Sequence, residues 1–393
     1  MMPSIHEIAR GSALALVLTG ALPVSAERPQ IDDYGTLPDG RTVQRITLRN
    51  AHGMQVRILS LGGIITEIAV PDRAGKIANV VLTKPDLAAY ASGANFSSLL
   101  GRYANRISGG GFTLDGKRYD LAGATANGMV LHGGPNSFSQ QIWEARPFGK
   151  AHGPSGVILR HVSPDGTNGF PGNLTVTVRY SLTDDDTLRL DYGAVTDKPT
   201  VLNLSHHVYF NLAGGASAIA DDQCVQILAD HYAAAKGQAM TGETPSVDGT
   251  PFDLRQPTRL GDRVNKGYPQ LPRGFDTPFL VRRQGKALVP IARSWDPVSG
   301  RTLELRTNEV SVQFFTPGGN PGAPRPPAPA VALPATPPVS PHVAGYAIET
   351  EHLPESPNYS GFPTTVLRPG RTFHSATSWH FGTYDPAKGV CAR

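Results

Sequence analysis

Apolar and polar residues alternate with a period of two along much of this chain, in short runs closed off by Gly, Pro, Asn and Asp. A period of two sends successive side chains to opposite faces, the pattern of a half-buried strand. The clearest case is TVTVRYSLTDDDTLRLDYGAV (175–195), which predicts two strands reversing over Thr183–Asp186. The aspartates there lack the spaced ligands of a calcium loop and read as a solvated hairpin tip. GMQVRILSLGG (53–63), ITEIAVPDRAG (65–75), FTLDGKRYDLA (112–122), SGVILRHVS (155–163) and RTLELRT (301–307) repeat the pattern. Asp115-Gly116 is a hairpin dipeptide. Helical periodicity is scarce. The expectation is an all-β chain, a large antiparallel sandwich with few short helices.

Two stretches break the pattern. Residues 1–26 run from a segment carrying Arg10 through the apolar GSALALVLTGALPV to Val24-Ser25-Ala26, the layout of a secretory signal peptide cleaved near Ala26. That apolar run is too short for a good membrane span, and no later segment is long enough. The expectation is an exported protein, secreted or periplasmic, without a membrane span after cleavage. The second stretch, 317–341, holds ten prolines in 25 residues. Proline removes ladder donors, so this is an insertion loop and not a central strand. Strand patterning resumes directly after it, so 27–393 is expected to form a single domain.

Composition adds exclusions. The formal net charge of +4 comes from 36 basic and 32 acidic residues, with no basic cluster of the kind nucleic acid requires. No Gly-rich phosphate loop follows a strand, and no zinc-type cluster or C-x-x-C is present. No cofactor or metal is expected. The two cysteines, Cys224 and Cys391, could pair in an oxidising compartment, and sequence alone leaves that open. A monomer is the expectation.

The candidate chemistry centres on NLSHHVYFNLAG (203–214). On a strand, one face carries Leu202, Leu204, His206, Val208, Phe210 and Leu212, a core face apart from its histidine. The other carries Asn203, Ser205, His207, Tyr209 and Asn211. If one histidine lines a pocket it is His207, and His206 is packed and neutral. Three more stretches matter. Asn105 and Arg106 stand beside small residues, and His132 precedes Gly133-Gly134. Glu349 lies among apolar neighbours, where a carboxylate acquires a raised pKa suited to a base.

Arg106 in GRYANRI, His132 in LHGG, His207 in NLSHHVYFNLAG, Asp276 in GFDTPF and Glu349 in AIETEH stand in the order found in aldose 1-epimerases. The chain closely resembles that family, the galactose mutarotases, from about residue 33 to 384, and VQFFT with Gln313 extends the match. The resemblance implies a β-supersandwich that opens and recloses the ring of a free aldohexose such as glucose or galactose. By this likeness Glu349 is the general base at the C1 hydroxyl and His207 the general acid at the ring oxygen. Asn105, Arg106, His132, Asp276 and Gln313 would hold the sugar. The family commonly carries Asn where this chain has His206.

Three other readings are weighed against this. A glycoside hydrolase pairing Asp276 with Glu349 leaves both site histidines unexplained. A hexose-6-phosphate 1-epimerase needs several cations at one phosphate, so Arg102 or Arg118 would have to reach the cleft. A non-catalytic carbohydrate-binding protein would have no need of both Glu349 and His207. Tyr209, Phe210 and Trp143 could stack on a sugar, although core packing is the commoner use of such residues.

Overall fold

The computed structural model describes residues 28–384 and 391, except 93–94, 150–153, 216–218, 265, 267, 272–273, 283–284 and 318–342. The leader read at 1–26, and the proline-rich insertion save Pro317, lie outside the described residues.

Alternation becomes sheet where it was read. The run 175–195 forms strands Leu174–Leu182 and Thr187–Thr196, paired antiparallel with Tyr180 opposite Leu190. Val176, Val178, Tyr180, Leu188, Leu190 and Tyr192 are buried on the inner face, each contributing roughly 1.5–3 kcal/mol. Ser155–Ser163 and Arg301–Thr307 are strands with the expected bounds. Asp115 and Gly116 both take positive φ, 50° and 77°, the two-residue reversal that a right-twisted hairpin demands. The aspartate tip is docked as well as solvated. Asp186 accepts from the Asn50 amide at 2.6 Å and Asp184 from the Ala51 N–H at 3.0 Å, which ties the tip to a neighbouring turn.

These hairpins assemble into a nine-stranded antiparallel sheet in which Thr187–Thr196, Phe373–Thr383 and Arg301–Thr307 are adjacent. A five-stranded sheet is built in chain order from Gln30–Thr36, Thr42–Arg49, Gln55–Leu59, Ile65–Pro71 and Ile77–Asn79. A four-stranded sheet runs in the order Tyr209–Phe210, Tyr346–Glu351, Ser311–Phe315, Asp276–Leu280. One continuous apolar core joins all three, taking Ile46 and Ile58 from the second, Val178 and Trp379 from the first, and Phe210, Phe314 and Ile348 from the third. Leu87–Ala91 and Leu260–Val264 are the two short α-helices among the described residues. Cys224 and Cys391 are joined in a disulfide, their Cα atoms 5.6 Å apart, fixing a residue near the C-terminus to a strand of the nine-stranded sheet.

Candidate active site

The register of the four-stranded sheet builds most of the site. Glu349 lies opposite Gln313, Gln313 opposite Pro278, Asp276 opposite Phe315, and Ala347 opposite both Phe315 and Tyr209. Opposed residues point to the same side of a sheet. Asp276, Gln313, Phe315, Glu349 and Tyr209 therefore share one face, while Phe279, Phe314, Ile348 and Phe210 fill the core from the other.

His207 reaches this face from the preceding segment. The stretch 203–214 is not one continuous strand. Ser205–His206 pairs with Leu99–Leu100, and Tyr209–Phe210 pairs with Tyr346–Ala347. The alternation survives the break. His206 packs edge-on against Tyr180 and Trp379 with ring centroids 6.0 and 5.9 Å away, and its Nε2 donates to the Gly63 carbonyl at 3.1 Å. Burial pushes its imidazole down to about 3, so it is neutral. The opposite face is more buried than expected, since Asn203 and Ser205 are sealed in and only the part around His207 opens to the cleft.

The remaining groups come from two loops. Arg106 opposes Leu131 in a two-residue ladder, which brings Asn105 beside His132. Gly133 follows at φ 87°, and a Cβ there would fall 2.5 Å from the Gly101 carbonyl oxygen, so glycine alone fits the turn that projects His132.

All seven residues singled out in the sequence line one cleft of about 350 Å³, within the size range of small-ligand sites. His207 Nε2 lies 3.5 Å from Glu349 Oε1, and the His207 ring stacks on Tyr209 at 4.7 Å. Burial pushes the His207 imidazole down to about 4. Burial, reinforced by the negative charges of Glu351 and Asp276, holds the Glu349 carboxyl well above the usual range. Burial, with the neighbouring His207 and Arg106, keeps His132 neutral. Arg106 donates from Nη2 to both Asp276 oxygens at 3.1 and 2.8 Å, and from Nη1 to the Gln238 carbonyl at 3.2 Å. The Gln313 amide also donates to Asp276.

Some lining groups escaped the sequence reading. Asn95, Thr125, Met129, Leu131, Gln238 and Phe315 belong to the cleft, but nothing local marks them. Phe315 is the exception, since it stands two residues from Gln313 on the same strand and so shares its face. Tyr209 lines the cleft, whereas Phe210 and Trp143 are core residues. Arg102 is buried, donating to Ser163, Pro164, Pro171 and Gly172, and Arg118 pairs with Asp120. Neither lines the cleft, where Arg106 is the one cationic side chain among the described residues.

The family described as aldose 1-epimerase matches residues 44–380. Galactose mutarotase of Homo sapiens is 36% identical over 358 residues, covering 88% of this chain and 97% of that protein. Aldose 1-epimerase of Escherichia coli (strain K12) is 32% identical over 352 residues, covering 88% and 96%. The crystal structure of galactose 1-epimerase from Lactobacillus acidophilus NCFM superposes with a TM-score of 0.77 at 25% identity, covering 91% of this chain and 99% of that one. With its fold, its cleft and its sequence all in agreement, the chain belongs to the aldose 1-epimerase family.

Proposed function

We propose that this protein is a mutarotase acting on a free aldohexose, and that His207 and Glu349 are its acid and base. The observation that carries this reading is the close approach of a buried imidazole and a buried carboxylate in a cleft otherwise furnished with hydrogen-bonding groups. Glu349 takes the proton of the C1 hydroxyl, the electrons form the C1 carbonyl, and the C1–O5 bond breaks. His207 delivers a proton to O5. Rotation about C1–C2 in the open aldehyde and the reverse transfers give the other anomer. No proton is gained or lost overall.

The pair needs one proton between its two members. In the empty cleft it resides on Glu349, because burial raises the carboxyl and depresses the imidazole. Substrate must draw it to His207, and return of the ring restores that state. His132, Arg106, Asn105, Asp276 and Gln313 orient the sugar hydroxyls. Arg106 is already engaged by Asp276, and that favours a neutral sugar over a phosphorylated one.

Export is part of the proposal. The leader pattern at 1–26 and the Cys224–Cys391 disulfide both favour an oxidising compartment outside the cytoplasm. The test of function is polarimetry on fresh α-D-glucose and α-D-galactose. Wild type should speed equilibration, and Glu349→Gln and His207→Asn should each lose about 10²–10⁴-fold in kcat. Wild-type rates in Glu349→Gln would sink the assignment.

A further inference from the structure

One buried carboxylate has no part in that scheme. Glu351 follows Glu349 by two residues on the same strand, so the two share a face roughly 6.6 Å apart along it. Glu351 is fully buried and Glu349 is 2% exposed. The Asn105 amide donates to Glu351 Oε1 at 2.8 Å, while the second oxygen of each carboxylate has no hydrogen-bond partner among the described residues. Among the described residues, no cation reaches either within ion-pair distance except His207, itself depressed by burial. Arg106 is spent on Asp276 and the Gln238 carbonyl.

Two sealed carboxylates on one face of a strand repel when both are charged, so the ionisation of one makes the other hold its proton more tightly. We propose that Glu351 is a positioning residue for the epimerase reaction: it forms with Glu349 a carboxylate pair that ionises one member at a time, so its charge governs when Glu349 can accept a proton. The inference rests on the reading of Glu349 as base.

The surroundings decide which member ionises first. Glu349 faces His207, His132, Tyr209, Asp276 and Arg106 across the cleft. Glu351 faces Asn105 and Tyr103 and also feels the charges of Arg106, Asp276 and Glu309, the last paired with His352 at 2.7 Å. Burial favours the neutral form of Glu309, but the charge of the adjacent His352 outweighs it and keeps the carboxylate ionised. Only Glu351 receives an amide donor, which stabilises its anion. The first proton therefore leaves Glu351, and its negative charge makes Glu349 hold its own more tightly.

Glu351→Gln removes the charge but keeps an acceptor for Asn105. The expected result is that the acidic limb of the kcat–pH profile moves down by about one to two pH units, with KM changed less than about threefold. A profile superimposed on wild type, or a large rise in KM with the limb unmoved, overturns the proposal. A second readout needs no activity. The infrared band of protonated carboxyl in unliganded Glu351→Gln, where Glu349 stands alone, should titrate at lower pH than the last-ionising carboxyl of the wild-type pair, and an unshifted band overturns the pair. Wild-type turnover in Glu349→Gln would instead remove Glu349 as base. An inactive Glu349→Gln beside an unshifted Glu351→Gln would remove only the pairing.

Discussion

The Asn105 N–H donates to His132 Nδ1 at 3.1 Å while the His132 N–H donates to the Asn105 carbonyl at 2.7 Å. Both residues occupy left-handed backbone, at φ 61° and 49°, a conformation non-glycine residues hold only when their surroundings enforce it. An imidazole that accepts at Nδ1 and is neutral carries its proton on Nε2. His132 is thus locked as a donor into the cleft. His132→Asn should lower kcat/KM by about 10–100-fold, the cost of one lost hydrogen bond to substrate. Steady-state polarimetry over a range of sugar concentrations checks this.

The neighbouring histidines should separate stability from rate. His206→Asn leaves a void beside Tyr180 and Trp379, so its Tm should fall by several degrees while kcat stays within a few-fold of wild type. His207→Asn should do the reverse, losing rate with little loss of Tm. Calorimetry and polarimetry on the same preparations decide it, and a dead His206→Asn would show that the strand faces are misassigned.

Acid should unfold this protein sooner than its carboxylates alone would dictate. His161 and His207 are pushed down to about 4, His206 to about 3, and His132 well below the ordinary value, burial being the main cause in each. A depressed folded pKa gives stability that is full above the unfolded value near 6.5 and is lost as pH falls toward the folded one. Glu349 and Glu351, raised by burial, act oppositely, stabilising most at low pH and losing that contribution as pH rises through their elevated values. The net excess of protons on the unfolded chain then rises from about none at pH 6.5 to about two near pH 5, where stability should fall by roughly 3 kcal/mol per pH unit. Denaturant titrations at stepped pH measure the slope, and His206→Asn should make it shallower.

Reduction should be costly. The disulfide closes a loop with a sequence separation of 167, for which the chain-entropy estimate is about 5 kcal/mol at most. Cys391→Ser should lower Tm to the value wild type shows under reductant. Equal Tm values for oxidised, reduced and substituted protein would mean the cross-link contributes nothing.

Local periodicity reveals what depends on near neighbours. The hairpins at 112–122 and 175–195 were legible because alternation and turn residues lie within one window. The two faces of 202–212 were legible because parity persists through the break between Ser205–His206 and Tyr209–Phe210. The break itself was not, since it depends on partners at Leu99 and Tyr346, distant in sequence. The same holds for the Gln238 carbonyl on Arg106 and for the docking of the aspartate tip on Asn50. Strand geometry singled out His207 and, from its apolar neighbours, Glu349, and local sequence marked Asn105, Arg106 and His132, while Asp276 and Gln313 and all the roles came from likeness to a family.

The histidine doublet has a consequence for how the chain finds its alignment. A slip of one residue would still present an imidazole to Glu349, because His206 would take the place of His207. Chemistry at the cleft therefore exerts no selection on that alignment. Discrimination falls to the other side, where the slip would set Ser205 against Tyr180 and Trp379 and turn the Leu204 and Val208 side chains away from the core. The aromatic cage around His206, remote from any sugar, is what keeps the acid in its place.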